Sequence, residues 1–254
     1  MNVQLHIHVC AKNITCDVFR RHCMFLLAFL VVSFQKKRGM LCGVLINAYL
    51  CKRIAEPTMK KVLYIHGFAS AGSTGSATQM RNHFYPKGVQ VVSPDVPVDP
   101  IEAIAFLKTL VEEEQPDLIV ATSMGALYAE QLKGRKRILV NPSFHMARLL
   151  TFRGLGKREF RNKRQDGATE FKVDKAMIQA FQQVEKESFK AIDASEKALV
   201  WGLFGKQDNL VNCQSDFQKH YGKEQMVLFE GEHFLNDKVL SKVVMPRVES
   251  LINV

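Results

Sequence analysis

The sequence predicts a doubly wound α/β fold: a mostly parallel sheet of about six strands, flanked by helices and carrying a helical lid insertion. Three observations predict it. Short, unbroken apolar runs recur from residue 62 onward, amphipathic stretches separate them, and small or polar turn residues follow them. Unbroken apolar runs of this length suit strands buried on both faces, and alternation with helices implies parallel pairing.

The strand candidates are 62–65, 89–92, 118–121, 138–140, 199–204 and 226–229. Asp99-Pro100 opens a helix, with aspartate as the N-cap and proline at the first helical position. Ile101, Ile104, Leu107, Leu110 and Val111 then follow helical spacing, and Pro116 closes the segment. Met177, Ile178, Phe181, Val184 and Phe189 form a second apolar stripe, and 234–252 reads as a closing helix around Pro246. Between residues 140 and 199 no strand is legible. An insertion there, at about 143–197, falls where a lid would cover the carboxyl ends of the strands.

An apolar fraction of 47% is enough to bury a sizeable core in a chain of 254 residues. The first 58 residues look foreign to the 59–254 domain. They carry eight Lys/Arg against Asp17 and Glu56, so they hold +6 of the formal +10 and leave an ordinary +4 for the rest. No RNA- or DNA-binding motif accompanies the basic residues, which argues against nucleic acid as a partner. Five of the six cysteines, Cys10, Cys16, Cys23, Cys42 and Cys51, precede residue 58, and only Cys213 follows. A body with one cysteine suits a reducing compartment, hence a cytoplasmic location. The apolar run 24–34 behind Arg20 and Arg21 is similar to a signal-peptide core, but Gln35-Lys36-Lys37-Arg38 follows it and no small-residue cleavage site does. It also falls short of the roughly 20 residues needed to span a bilayer. The expectation is that 1–58 is an unstructured extension or upstream sequence, with the native chain beginning at Met59, and that a membrane partner is disfavoured. His6, His8, Cys10 and Cys16 match no common zinc spacing.

The chemistry-bearing residues come in the order Ser123, Asp208, His233, each just after an apolar run. Ala121-Thr122-Ser123-Met124-Gly125 departs from G-x-S-x-G only at its first position, and the strand-to-helix turn needs only small residues there. A serine in that turn is held in a strained conformation that lifts its hydroxyl out of the sheet. Its weak nucleophilicity calls for an adjacent base, the role open to His233 in Gly231-Glu232-His233-Phe234. Asp208, in Gly205-Lys206-Gln207-Asp208-Asn209, would orient the imidazole and stabilise its cation. His66-Gly67-Phe68 follows the first strand, where the backbone N–H of Phe68, with that of Met124, would form an oxyanion hole. His66 and Gly67 then read as loop support beside the substrate, and the Phe68 and Met124 side chains as candidates for an acyl pocket. The basic residues Arg148, Arg153, Lys157, Arg158, Arg161, Lys163 and Arg164 read first as a solvated face. The competing reading has Arg158, Arg161 and Arg164 meeting the phosphates of an anionic carrier.

The segments Leu63-Tyr64-Ile65-His66-Gly67-Phe68, Thr122-Ser123-Met124-Gly125, Val140-Asn141-Pro142, 205–211 and 231–234 resemble the YqiA-like esterases of the α/β-hydrolase superfamily. The likeness runs over roughly 59–252. It implies a carboxylic-ester or acyl-thioester hydrolase acting on a small-molecule substrate, with neither metal nor organic cofactor, in which Ser123, Asp208 and His233 are nucleophile, acid and base. The chief alternative is a non-catalytic binding protein of the same fold. A nucleotide-binding reading of Gly67-Phe68-Ala69-Ser70-Ala71-Gly72 fails because Ser73 stands where a P-loop has its lysine. Substrate identity and oligomeric state are not legible.

Overall fold

Parallel strands buried from both sides need side chains that are apolar in both directions, and the runs here supply them. A computed structural model describes residues 59–254; the expectations for 1–58, including the signal-like run and the His6–Cys16 group, lie outside the described residues. The six runs become β1 (Lys60–Ile65), β2 (Val89–Val92), β3 (Leu118–Thr122), β4 (Arg137–Val140), β7 (Val200–Gly205) and β8 (Met226–Phe229). They form one sheet in the order β2-β1-β3-β4-β7-β8, with every adjacent pair parallel. Alternate side chains feed two cores. Leu63, Ile65, Ile119, Ala121 and Leu139 face one side, and Val62, Tyr64, Leu118, Val120 and Ile138 face the other.

Helices cover both faces. α1 (Gly75–Phe84) follows β1 and begins where the Thr74 hydroxyl accepts from the Ala77 N–H. α2 (Pro100–Glu114) starts as the Asp99-Pro100 signal requires, its Asp99 carboxylate accepting from the Ile101 and Glu102 N–H groups. It ends at Gln115, which takes a left-handed conformation ahead of Pro116. Ala103, Leu107 and Val111 pack α2 on one face of the sheet, while Ala77, Met80 and Phe84 pack α1 on the other. α3 (Met124–Glu130) joins β3 to β4 and is buried along its whole length.

The segment between β4 and β7 departs from the expected helical insertion. It contains α4 (Met146–Arg153), α5 (Lys175–Glu185) and α6 (Ala194–Ala198), but also an antiparallel hairpin of β5 (Gly156–Glu159) and β6 (Glu170–Val173). The hairpin escapes a hydrophobicity reading because β5 is Gly-Lys-Arg-Glu. It is packed instead through Phe171 against Phe68 (ring centroids 5.2 Å) and Phe160 (4.8 Å). The stripe that begins at Met177 also ends earlier than its spacing suggests. Phe189 lies beyond α5 at φ 61°, with its ring stacked on His220 and its N–H donated to Glu130.

After β7, α7 (Gln214–Tyr221) returns to β8. The closing helix begins later than expected, at Asp237, because residues 230–236 form a loop capped by the Asn236 side chain. It runs without a break as α8 (Asp237–Val239), a π-helical turn over Leu240–Val244, and α9 (Met245–Ile252), with Pro246, which has no N–H to donate, directly after the π-helical turn. Among the described residues no helix is long and apolar enough to cross a membrane.

Candidate active site

The sheet delivers its polar residues at one end. Ser123, Asp208 and His233, which lie far apart in sequence, follow β3, β7 and β8 and meet at the carboxyl edge, where doubly wound sheets place their ligands. Ser123 Oγ lies 2.9 Å from His233 Nε2, and His233 Nδ1 lies 2.7 Å from Asp208 Oδ2. The other carboxylate oxygen, Asp208 Oδ1, accepts from the N–H groups of Leu210 (2.9 Å) and Val211 (3.0 Å). Burial works against ionisation of Asp208, but the His233 hydrogen bond and these two amides outweigh it and hold the carboxyl below its ordinary range.

The turn at Ser123 has the strain its sequence implies. Ser123 sits at φ 54°, ψ −120°, a backbone conformation that non-glycine residues rarely take. Hydrogen bonds hold it there: its N–H donates to Val140 O, and its carbonyl accepts from the Ala126 and Ser143 N–H groups. Gly125 is required by contact rather than by torsion, since a Cβ there would lie 2.5 Å from His66 O and 2.6 Å from Ile65 O. Ala121, by contrast, is fully buried in β3 between Ile65 and Leu139, where its methyl group is accommodated.

The loop after β1 faces this turn. Gly67 is so close that a Cβ on it would lie 3.2 Å from the Ser123 Cβ. Neither the Phe68 nor the Met124 N–H donates a hydrogen bond to another described residue. His66 is buried and supports the loop. Its Nδ1–H donates to Gly67 O (2.9 Å) and its Nε2 accepts from the Val96 N–H (3.1 Å), an arrangement only the neutral ring satisfies. Burial pushes its pKa below the ordinary histidine value. The unfolded chain therefore binds this proton at a higher pH than the native one, and stability falls as pH drops through the interval below about 6.5. Thermal melts at pH 7.5 and 5.5 should show a larger loss for the native protein than for His66→Gln, which cannot titrate. An equal loss in both would assign the acid sensitivity elsewhere.

Ser123 and His233 open into a cavity of about 320 Å³ whose wall includes Tyr64, Phe68, Met146, Leu149 and Phe234. Phe68 thus borders the cavity as expected. The Met124 side chain does not: it is buried in the core. The basic run also divides. Arg164 is buried, paired with Asp166 and donating to Val96 O, and Arg158 donates to the carbonyls of Arg153, Gly154 and Lys157. Of the three arginines expected to meet a carrier, only Arg161 borders the cavity, and Arg153 joins it there.

Asn141 is the residue whose role a reading of the motifs misses. It is buried at φ 44° just after β4, and its side-chain amide donates to Glu232 O (2.9 Å) and His233 O (3.0 Å) while its oxygen accepts from the Gly205 N–H (2.7 Å). One side chain thus ties the ends of β4 and β7 to the backbone that carries His233. The available signal was an Asn-Pro pair directly after a strand. Asn141→Gly, which relaxes the backbone but removes all three bonds, should lower kcat about 10- to 100-fold, since displacements near 1 Å have that effect. A kcat within twofold of native would reduce Asn141 to a turn residue.

Among the described residues one group carries metal-ligand types, His145, Cys213 and Asp216, with donor atoms within 4.8 Å of one another. No such cluster was expected in this region. His145 is already paired with Asp216 (3.0 Å), and burial pushes the Cys213 thiol up to about 11, which keeps it protonated and a poor ligand. None of the three borders the cavity at Ser123.

A six-stranded parallel sheet with a serine on a strained strand-to-helix turn is the architecture of the α/β-hydrolases. Solved structures share the fold. Est1E from Butyrivibrio proteoclasticus matches with a TM-score of 0.57 at 18% identity, over 79% of this chain and 90% of that one. Alpha/beta hydrolase domain-containing protein 10 from mouse matches at 0.52 and 13% identity, over 76% and 89%. The ydeN gene product from B. subtilis matches at 0.51 and 15% identity, over 77% of this chain and all of that one. Residues 61–244 match the model of the uncharacterised protein family UPF0227, the YqiA family, and the chain belongs to that family.

Proposed function

We propose that this protein is a serine hydrolase that cleaves carboxylic esters or acyl thioesters through an acyl-enzyme. The observation that carries the reading is the unbroken hydrogen-bond chain Ser123–His233–Asp208 opening into a cavity. His233 Nε2 takes the Ser123 proton as Oγ attacks the acyl carbon, and the carbonyl electron pair moves onto oxygen. The Phe68 and Met124 N–H groups stabilise that oxyanion. When the tetrahedral adduct collapses, the bond to the alcohol or thiol breaks and His233 returns the proton to the leaving group. Water, deprotonated by the same imidazole, then releases the acid. Residues 59–254 form the hydrolase domain in this reading, and 143–197 cover its site.

The test is labelling by a fluorophosphonate probe together with hydrolysis of p-nitrophenyl butyrate. Native protein should be labelled, and Ser123→Ala should be neither labelled nor active. Turnover should be the same with and without EDTA, because the site supplies its own base and oxyanion donors. A folded native protein that neither labels nor turns over would instead be a binding protein on this fold.

A further inference from the structure

The catalytic cavity is one-sided in charge. Arg153 and Arg161 border it, and among the described residues no carboxylate does; Asp208 lies behind the His233 ring, bonded to its Nδ1. Neither guanidinium forms an ion pair or a side-chain hydrogen bond with any other described residue. The neighbouring arginines differ in this respect: Arg158 spends its donors on three backbone carbonyls and Arg164 spends its own on Asp166 and Val96. Five N–H donors on a planar fork, left unused at a cavity wall, are matched to the oxygens of an anion.

Arg161 is also held in place. Its backbone N–H donates to Ala69 O (2.8 Å), in the loop that offers the Phe68 amide, and its guanidinium lies 4.7 Å from the centre of the Phe234 ring, next in sequence to His233. Stacking of this kind fixes the fork before a ligand arrives and lowers the entropy lost on binding. The Arg161 backbone and side chain are thus tied to both halves of the reacting centre.

We infer that the preferred substrate is an ester or thioester bearing a second, ionised oxyanion group, a carboxylate or phosphate, which Arg153 and Arg161 bind beside Ser123. The inference rests on the serine-hydrolase reading and adds to it the class of substrate. It also replaces the expectation from sequence, in which Arg158 and Arg164 took part.

The test compares kcat/KM for three p-nitrophenyl or aryl esters of similar length: a neutral butyrate, a hemisuccinate with the carboxylate on the acyl side, and a butyrate whose aryl leaving group carries a phosphate. At least one anionic ester should exceed the neutral one, and Arg153→Gln/Arg161→Gln should lower that anionic-to-neutral ratio on the order of 10-fold, as expected for two charge-assisted contacts at a partly open site. Lys163→Gln, which changes the basic run outside the cavity, should leave the ratio alone. The preference should shrink in 0.5 M salt. Whichever ester is favoured separates a carboxylate on the acyl group from a phosphate on the leaving group. If native protein hydrolyses all three at similar rates, or the ratio survives the double substitution, the anion site is wrong while the hydrolase reading stands. If Ser123→Ala retains the hydrolysis of all three, the hydrolase reading fails and takes this inference with it.

Discussion

Ser123→Ala and His233→Ala should each lower kcat by about 10⁴-fold or more, and the double variant should be little slower than either single one. The lack of additivity follows from the geometry. Ser123 Oγ has its base only through the 2.9 Å contact with His233 Nε2, so removing either partner removes the same event. Residual rate would come from whatever the Phe68 and Met124 amides and the cavity contribute without a nucleophile. Folding should be nearly unaffected in Ser123→Ala, since the strained turn is held by backbone bonds to Val140, Ala126 and Ser143 rather than by the hydroxyl. Thermal melts alongside single-turnover rates separate the two effects. Rates that multiply in the double variant would mean that Ser123 and His233 act in separate steps.

Much of this arrangement is legible in the sequence for a simple reason. Strands such as 118–122 and 226–229 are buried on both faces or pinned beside such strands, so their apolar runs stand out, and the polar residues that end them stand out equally. Legibility stops where burial and polarity part company. Arg137 opens β4 fully buried, because its guanidinium donates to the carbonyls of Ala129 and Glu130 and pairs with Glu196, and no periodicity announces a charged strand residue of that kind. The β5–β6 hairpin is written in charges and anchored by Phe171, whose partners Phe68 and Phe160 come from a distant loop and the adjoining turn. Asn141 acts through three backbone groups that only the assembled sheet brings within reach. The basic run shows the same limit. Its arginines look alike in sequence, and only tertiary structure separates Arg164, closed on Asp166, from Arg161, open to the cavity.

Asp208→Asn should be nearly as damaging as loss of the nucleophile, with kcat lowered about 10⁴-fold, although it is almost the same shape. The Leu210 and Val211 N–H groups need an acceptor, so the asparagine must turn its oxygen toward them. Its NH₂ then faces His233 Nδ1, which has to accept that hydrogen bond and cannot carry a proton. The ring proton moves to Nε2 and points at Ser123 Oγ, leaving the imidazole no lone pair with which to take the hydroxyl proton. The loop should stay folded, because both amides remain satisfied, and the melting temperature should stay near the native value. Asp208→Ala leaves Nδ1 free to carry its proton but strips the two amides of their acceptor, so it should lose stability while being at least as active as the asparagine variant. Two other acids close in sequence offer no substitute. Asp237 is engaged by Gln79 (2.6 Å), and neither it nor the exposed Glu232 side chain bonds the His233 ring. An asparagine variant with near-native kcat would show that the imidazole is oriented by something other than Asp208, and the role of the acid would have to be reassigned.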